Sequence, residues 1–305
     1  MNKINIVNGI LSVSEMSLGC MRIAQLSSSD AKRLIKTALD EGIDFFEHAD
    51  IYGGGKGEEV FANAIGMDNT IREKIYIQTK CGIREGYYDS SKEHILNSVD
   101  GSLKRLKTDY IDILLLHRPD TLMEPEEVAE AFDLLQNSGK VKHFGVSNFN
   151  SMQIELLSKY VNQRLIINQL QLSITNTGMI DSGINVNTKF AGSIDRDGSV
   201  LEYCRLKDIT IQAWSPFQYG FIEGVFLNNE KFPGLNKKIN EIAILKNVPN
   251  AAIVIAWILR HPAKIQSIIG TTNYKRLKDI CKASQITLTR QEWYDIYKSA
   301  GNKLP

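Results

Sequence analysis

Short apolar runs and amphipathic segments alternate along the chain of 305 residues. The segment 111–117, IDILLLH, is almost uninterruptedly apolar, which is typical of a strand buried on both faces. The segment 31–40 instead repeats apolar residues every third or fourth position, and it follows the helix-start sequence SSSD. The pattern therefore predicts a regular succession of strands and helices.

Over the whole chain this pattern predicts eight β-then-α units. The predicted strands are 14–19, 45–47, 75–80, 111–117, 143–147, 166–171, 210–213 and 266–269. The predicted helices are 31–40, 58–65, 92–106, 125–138, 150–160, 200–207, 235–246 with 251–260, and 274–281. Unbroken units of this kind fit a closed (β/α)8 TIM barrel, an α/β fold, in a single domain spanning 1–305. No GxGxxG turn follows the first strand, which argues against a Rossmann fold.

Three further segments lie outside the eight units. Apolar pieces at 3–7 and 11–13 flank Asn8-Gly9, a turn signal, and predict an N-terminal β-hairpin. The segment 291–300 predicts an extra C-terminal helix. The polar stretch 173–198 is expected to form a long loop, and such loops in compact domains are more often functional than structural.

Composition and charge exclude several classes of partner. The formal net charge is +1 without a basic stripe, so no nucleic-acid partner is expected. No apolar run is long enough to span a membrane, and the N-terminus lacks the apolar core of a signal peptide, so a cytoplasmic location is expected. The oligomeric state is left open. The sequence contains no CxxC pair, so its cysteines are expected to be reduced thiols. They are Cys20, Cys81, Cys204 and Cys281.

Several predicted strands end in ionisable or hydroxyl side chains that suit proton transfer. The C-terminal ends of the strands of a barrel lie around one mouth, so these side chains are expected to lie close together. A free tyrosine has a pKa of about 10, and the ammonium of Lys80 is expected to lower the pKa of Tyr52 toward the range of a general acid. Glu47 is expected to keep Lys80 charged against the cost of burial. His117 is expected to orient a carbonyl oxygen.

Other polar motifs have plain structural explanations. The H-x-D motif at His48 lacks a third ligand, so no metal site is predicted. The glycines 53–55 do not form a phosphate loop, because no Lys-Ser/Thr pair follows a second fixed glycine. Trp257 and Trp293 lie on amphipathic helices and are expected in the core, whereas Trp214 follows a strand into the mouth.

A series of short motifs occurs in order along the eight units: FFEHADIYG, IQTKCG, LLLHRPD, GKVKHFGVSNF, NQLQLS, AWSPF and IIGTTNYKR. Together they resemble the aldo-keto reductases over nearly the whole chain, in particular the bacterial branch with the ADIYGGG and LLLHRPD motifs. The resemblance implies NADPH-dependent reduction of aldehydes or ketones, with Tyr52 as the general acid and Lys80 and His117 as its partners. Glu47 stands where the family has an aspartate, which adds one methylene beside a buried lysine.

The resemblance also implies a site for a nicotinamide dinucleotide. The implied residues are Ser147, Asn148 and Gln169 at the carboxamide, Trp214 stacked on the nicotinamide ring, Ser215, Pro216 and Phe217 along the pyrophosphate, Gly19, Cys20 and Met21 near the ribose, Gly270, Thr271, Thr272 and Arg276 at the adenosine 2′-phosphate, and Asp279 at the adenine. Helix N-terminal amides and an arginine fork suit a phosphate dianion, so NADPH is expected in preference to NADH. Two departures are Gly270, where many relatives have a lysine, and Ile280, where many have an asparagine.

Two other functions are considered beside the reductase. A nucleotide-binding redox sensor or regulatory subunit, with weak or no turnover, is favoured only by the departure at Glu47. A metal-dependent hydrolase or isomerase is disfavoured because the mouth lacks a ligand cluster. The substrate is expected to be a small carbonyl compound, and the loops expected to select it are 21–25, 83–89, 173–198 and 218–229.

Overall fold

The computed structural model describes residues 1–6, 9 and 11–305. Its strands are β1 (Lys3–Ile6), β2 (Leu11–Ser14), β3 (Met16–Gly19), β4 (Phe45–Glu47), β5 (Tyr76–Cys81), β6 (Ile111–Leu116), β7 (Val141–Ser147), β8 (Leu165–Gln171), β9 (Thr210–Trp214), β10 (Gln218–Tyr219), β11 (Gly224–Val225) and β12 (Gln266–Ile269). Eight of them close a parallel barrel in the order β12, β3, β4, β5, β6, β7, β8, β9. The predicted (β/α)8 barrel is therefore confirmed, and every predicted barrel strand is present within a few residues of its expected bounds.

The N-terminal hairpin closes the barrel at the end where the strands begin. β1 and β2 pair antiparallel, as predicted, although Asn8 of the proposed turn lies outside the described residues. Ile6 and Val13 of the hairpin are fully buried and belong to the same apolar cluster as Phe45 and Ile113 of the barrel wall. The hairpin therefore covers the base of the barrel and shares one apolar core with its interior.

A layer of glutamine side chains crosses the barrel between this apolar base and the mouth. Gln78 and Gln169 both donate to the side-chain oxygen of Gln212, at 2.9 and 3.1 Å. Gln212 in turn donates to the oxygen of Gln266 at 2.7 Å, and Gln266 donates to the backbone carbonyl of Ser14 at 2.7 Å. These buried amides pair with one another, which offsets much of the cost of removing them from water, although the side-chain oxygen of Gln78 has no hydrogen-bond partner among the described residues.

An outer ring of helices surrounds the barrel, and the predicted helices are all present. Several begin at the expected caps; Ser91, for example, accepts from the backbone amide of His94 at the start of one helix. The helices are α1 (Ser28–Asp40), α2 (Lys56–Ile65), α3 (Asn69–Arg72), α4 (Lys92–Leu106), α5 (Pro125–Asn137), α6 (Ser151–Ser158), α7 (Gly178–Ile184), α8 (Val200–Leu206), α9 (Pro233–Lys246), α10 (Asn250–Leu259), α11 (Tyr274–Cys281) and α12 (Arg290–Ser299).

The stretch 173–198 is more ordered than the long loop that its polar composition predicts. It contains α7 and a short 3₁₀ helix at Ala191–Ser193. The adjacent residues Met179 and Ile180 are buried, and Asp181 accepts a 2.6 Å hydrogen bond from the Tyr297 hydroxyl of α12. Two neighbouring apolar residues give no helical period, so this helix depends on a tertiary contact that sequence alone does not display.

The predicted C-terminal helix is confirmed as α12, and it packs through a tryptophan pair. The rings of Trp257 on α10 and Trp293 on α12 stack with centroids 4.7 Å apart and planes inclined by 9°. Each indole N–H donates to the backbone carbonyl of the other residue, at 3.1 and 3.0 Å. Both side chains are buried, as expected from the sequence, so the pair joins the last helix to the barrel.

Within the described part of the chain, no single helix is long and apolar enough to cross a membrane. Helices α9 and α10 reach the required length and composition only when taken together, and they are bent by 94° at the break between them. All four cysteines are buried free thiols, as predicted.

Replacing Trp293 by alanine is expected to lower the free energy of unfolding by about 3–5 kcal/mol, because it removes a stacked aromatic ring and leaves a cavity. Chemical denaturation of purified protein measures this change. The matched control is Ile244→Ala on α9, where the side chain is 71% exposed and the expected change is within about 0.5 kcal/mol. A similar loss in both variants would contradict the role given to the tryptophan pair.

Candidate active site

A cavity of about 880 Å³ opens at the C-terminal mouth of the barrel, and most of the predicted site residues surround it. Those that line this mouth cavity are Gly19, Met21, Glu47, Tyr52, His117, Ser147, Asn148, Gln169, Trp214, Ser215, Pro216, Phe217, Gly270, Thr271 and Arg276. The predicted residues that do not line it are Lys80, Cys20, Thr272 and Asp279. Lys80 and Cys20 are buried in the wall, and Asp279 pairs with Lys282 at 3.3 Å instead.

The turn after β4 fixes the position of Tyr52. The Tyr52 amide donates to the carbonyl of Ala49 at 3.0 Å, and the amide of Gly57 donates to the Tyr52 carbonyl at 3.0 Å. Gly55 begins α2 with a φ of 89°, and the Arg105 side chain lies 2.9 Å from where a Cβ would be. Glycine is required there, because a side chain would meet both backbone strain and Arg105. The glycines 53–55 therefore let the chain turn from Tyr52 into α2, while the Tyr52 side chain stays at the cavity.

Glu47, Tyr52 and Lys80 form one hydrogen-bonded cluster at the floor of the mouth cavity. The Lys80 ammonium donates to the Tyr52 hydroxyl at 3.0 Å, to the backbone carbonyl of His48 at 2.6 Å, and to Oε1 of Glu47. The Tyr52 hydroxyl donates to the same Glu47 oxygen at 3.1 Å. All three donors of the buried ammonium are therefore used, as a buried charge requires.

The pKa of Tyr52 differs from the sequence-based expectation. Burial, and then the negative charge of Glu47, raises the pKa of Tyr52 well above its usual value, whereas Lys80 was expected to lower it. Burial also lowers the pKa of Lys80, although Glu47 opposes that shift. The main physical reason is the burial of the phenol, and Glu47 adds to it by contacting the phenol directly as well as the ammonium. Hydrogen bonding of a neutral hydroxyl to a carboxylate favours the protonated phenol.

His117 stands beside this cluster as a neutral imidazole. Its ring lies edge-on to that of Tyr52, with centroids 6.0 Å apart and planes inclined by 80°. Burial, together with the positive charges of Lys80 and Arg118, lowers the pKa of His117 to about 2. Its Nδ1 atom has no hydrogen-bond partner among the described residues. A neutral imidazole in this place has an N–H with which it can donate to a polar ligand.

The ends of β7, β8 and β9 form the second wall of the cavity. Asn148 adopts a φ of 63°, a conformation that asparagine tolerates better than most residues, and its amide donates to the Ser147 hydroxyl at 2.8 Å. Ser147 donates to the backbone carbonyl of Gln169 at 3.1 Å. The Trp214 indole donates to the side-chain oxygen of Asn148 at 3.1 Å, which fixes its ring against the cavity.

The far end of the cavity is basic. Arg22 donates to the backbone carbonyl of Gly270 through Nε at 3.2 Å, and it lines the cavity together with Arg276. Asn273 caps α11 by accepting from the amides of Lys275 and Arg276, so these two amides already have partners. The anion-binding capacity at this end therefore comes mainly from arginine side chains, and less from helix amides than the sequence predicts.

Sequence reasoning missed two arginines at this site, Arg22 and Arg118. Arg118 directly follows His117 at the end of a barrel strand, and this adjacency was the available signal. His48, by contrast, lies away from the cavity lining and packs edge-on against Phe61 at 4.6 Å. No group of three His, Cys, Asp or Glu residues suited to a metal ion occurs among the described residues.

Comparison with known proteins identifies the class to which this barrel belongs. The sequence model of the Aldo/keto reductase family matches residues 15–300. The chain therefore belongs to the aldo/keto reductase family, and it is an NAD(P)H-dependent oxidoreductase.

Individual relatives match almost from end to end. The oxidoreductase YcsN of Bacillus subtilis is 37% identical over 94% of this chain and 94% of its own. A 6-dehydroglucose reductase of Agrobacterium fabrum is 34% identical over 96% of each chain. Among solved structures, the thermostable aldo-keto reductase Tm1743, in complex with the inhibitor epalrestat, superposes with a TM-score of 0.81 at 24% identity, over 98% of this chain and 100% of its own. At that identity the superposition supports the fold alone.

The low pKa of His117 predicts a rate profile without a histidine titration. We expect kcat/KM for carbonyl reduction to show no His117 inflection near the ordinary histidine pKa of about 6.5, because the ring stays neutral throughout that range. Initial rates measured between about pH 5 and 8 test this. Asp50→Asn serves as the control, because burial raises the pKa of Asp50 to about 6. An inflection that disappears in His117→Asn but persists in Asp50→Asn would contradict the prediction.

Proposed function

We propose that this protein is an NADPH-dependent reductase of small aldehydes or ketones. The observation that carries the proposal is the Tyr52 hydroxyl, which lies 3.0 Å from the Lys80 ammonium at a cavity that His117 also lines. A hydroxyl, an ammonium and a neutral imidazole around one space are suited to donating a proton to a carbonyl oxygen as it gains charge. Membership of the aldo/keto reductase family supports the same reaction.

The residues around the cavity fit a nicotinamide dinucleotide, which supplies a hydride when bound. At one end the Trp214 ring offers an aromatic face, beside the hydroxyl and amide of Ser147 and Asn148. At the other end Arg22 and Arg276 offer cations for phosphate groups. A Bombyx mori aldo-keto reductase of the same fold has been solved in complex with NADP (TM-score 0.74, 20% identity, 97% of this chain and 92% of its own), which is consistent with this choice of cofactor.

In the proposed mechanism Tyr52 donates its hydroxyl proton to the carbonyl oxygen of the substrate. The Lys80 ammonium, 3.0 Å away, stabilises the phenolate that this transfer creates. Glu47 keeps Lys80 charged within the buried wall. His117 donates a hydrogen bond to the same carbonyl oxygen and so orients it. Tyr52 is protonated at neutral pH, because its pKa is raised from an ordinary value of about 10, so its proton is available for donation.

The sensor hypothesis is less well supported. It depends on the glutamate at position 47 impairing proton transfer, yet Glu47 still contacts both Lys80 and Tyr52. The relatives named above are an oxidoreductase and a 6-dehydroglucose reductase by name. Polyhydroxylated aldehydes therefore belong in a first substrate screen, beside simple aromatic and aliphatic ones.

Replacing Tyr52 by phenylalanine is expected to lower kcat for aldehyde reduction by about 10²–10⁴-fold, because the general acid is lost. Steady-state consumption of NADPH with benzaldehyde measures the effect. The dissociation constant for NADPH, measured on the same variant, is expected to stay within error of the wild type, which separates lost chemistry from lost binding. Turnover near the wild-type rate would disprove the assignment of Tyr52.

Titration with NADPH and NADH, followed by tryptophan fluorescence, tests the proposed cofactor. We expect NADPH to bind more tightly than NADH. Arg276→Met is expected to weaken the binding of NADPH and to leave that of NADH nearly unchanged, because only NADPH has the 2′-phosphate. Loss of the signal change in Trp214→Phe would place the ring at the cofactor. If neither nucleotide binds, the cofactor assignment and the reductase proposal both fail.

A further inference from the structure

Arg118 is a cation at the reactive end of the mouth cavity, and the mechanism above does not use it. It lines the cavity with Tyr52 and His117, immediately after the end of β6. Its guanidinium makes no hydrogen bond or ion pair to another residue in the described part of the chain, and its side-chain contacts are aromatic. Its five N–H donors therefore remain available to a ligand.

Two aromatic rings position this guanidinium. Its Cζ atom lies 5.9 Å from the ring centroid of Trp214 and 5.9 Å from that of Phe221, within the range of cation–π attraction. The two rings are themselves perpendicular, with centroids 6.2 Å apart. Phe221 is 67% exposed, so the arginine lies beside a solvent-exposed ring. These aromatic contacts restrain the side chain without using its N–H donors.

The balance of charge in the cavity also favours an anion. Its lining contains three arginines, Arg22, Arg118 and Arg276, but Glu47 is the lining carboxylate and it is paired with Lys80 in the described structure. Arg22 and Arg276 lie with Gly270 at the far end, so they do not serve the same ligand group as Arg118. Arg118 is close enough to the reactive groups for its charge to oppose the raised pKa of Tyr52 and to add to the burial that lowers the pKa of His117.

Apolar side chains border the same opening. Those that line the cavity and are exposed are Met21, Ile51, Ile222 and Val225. A ligand that contacts this rim and Arg118 together has an apolar body and an anionic end.

We infer that Arg118 selects carbonyl substrates bearing an anionic oxygen group, a carboxylate or a phosphate monoester, joined to the carbonyl by an apolar segment. This inference rests on the proposed reductase function and names its substrate class. A planar guanidinium pairs with two oxygens of such a group at once, while Tyr52 and His117 bind the carbonyl oxygen. Arg118 is thus a specificity-determining residue.

Pairs of aldehydes with and without an anionic group test the inference. The probes are 3- and 4-carboxybenzaldehyde against their neutral methyl esters, and glyceraldehyde 3-phosphate against glyceraldehyde. For the wild type we expect kcat/KM to favour the better carboxylate over its ester by about tenfold or more, mainly through KM, because the anion is bound equally before and during the reaction. The phosphate pair shows which anion the site prefers.

Three variants isolate the charge of the guanidinium. Arg118→Gln is expected to bring the acid-to-ester ratio close to one, and Arg118→Lys to retain part of the preference. Arg33→Gln is the matched control, because Arg33 also lies over an aromatic ring, that of Tyr274, but does not line the cavity. The wild-type preference is expected to shrink as salt rises, which a purely steric effect does not do. An unchanged ratio in Arg118→Gln would overturn the inference.

Two binding measurements separate this inference from the reductase proposal. Calorimetry measures the binding of benzoate and of benzamide without any turnover. We expect Arg118→Gln to weaken the binding of benzoate but not that of benzamide. If benzoate binding depends on Arg118 but no aldehyde is reduced, the anion site stands and the reductase proposal fails. If aldehydes are reduced without an Arg118-dependent preference, the reductase stands and the anion site fails. Weakened NADPH binding in Arg118→Gln with an unchanged ratio would assign the arginine to the cofactor instead.

Discussion

The buried ion pair between Lys80 and Glu47 is the interaction on which the rest of the site depends. A buried ammonium is stable only when its donors are paired, and here a carboxylate, a backbone carbonyl and a phenol accept all three. Removing one partner of such a pair costs about 3–5 kcal/mol in other proteins, because the remaining charge is left uncompensated. The position of Tyr52 is therefore tied to the charge state of its neighbours, and the geometry of the acid cannot change independently of them.

The barrel makes this arrangement possible by bringing distant parts of the chain to one mouth. Four different strands carry Glu47, Lys80, His117 and Trp214 at or next to their C-terminal ends. Helices, an apolar base and the N-terminal hairpin hold those strand ends in place, while the loops beyond them vary the chemistry. Arg118 illustrates the division, since β6 places it beside the reactive groups and Phe221, in the loop between β10 and β11, lies next to its guanidinium.

Sequence alone supplied the barrel and most of the residues around its cavity, because periodicity identifies strands and helices and strand ends identify the mouth. It did not supply α7, whose single buried Met179–Ile180 pair has no period and depends on a contact with Tyr297. It also gave the wrong direction for the pKa of Tyr52. That direction depends first on how deeply the phenol is buried and then on its contact with Glu47, and residue spacing determines neither. Arg118 was missed although it directly follows His117 within the LLLHRPD motif, and Arg22 was missed because a single arginine after a strand has no distinctive pattern.

The glutamine layer beneath the site has a fixed polarity. The Ser14 carbonyl at one end and the Glu47 carboxylate at the other can only accept, so each amide between them has one permitted orientation. Gln169 donates to both Gln212 and Glu47, at 3.1 and 3.4 Å, and joins this directed chain to the ion pair. Reversing any one amide would set oxygen against oxygen at its neighbour. The amides inside the barrel thus link the hairpin at the base to the ion pair at the mouth, and the acceptors at both ends fix their orientations.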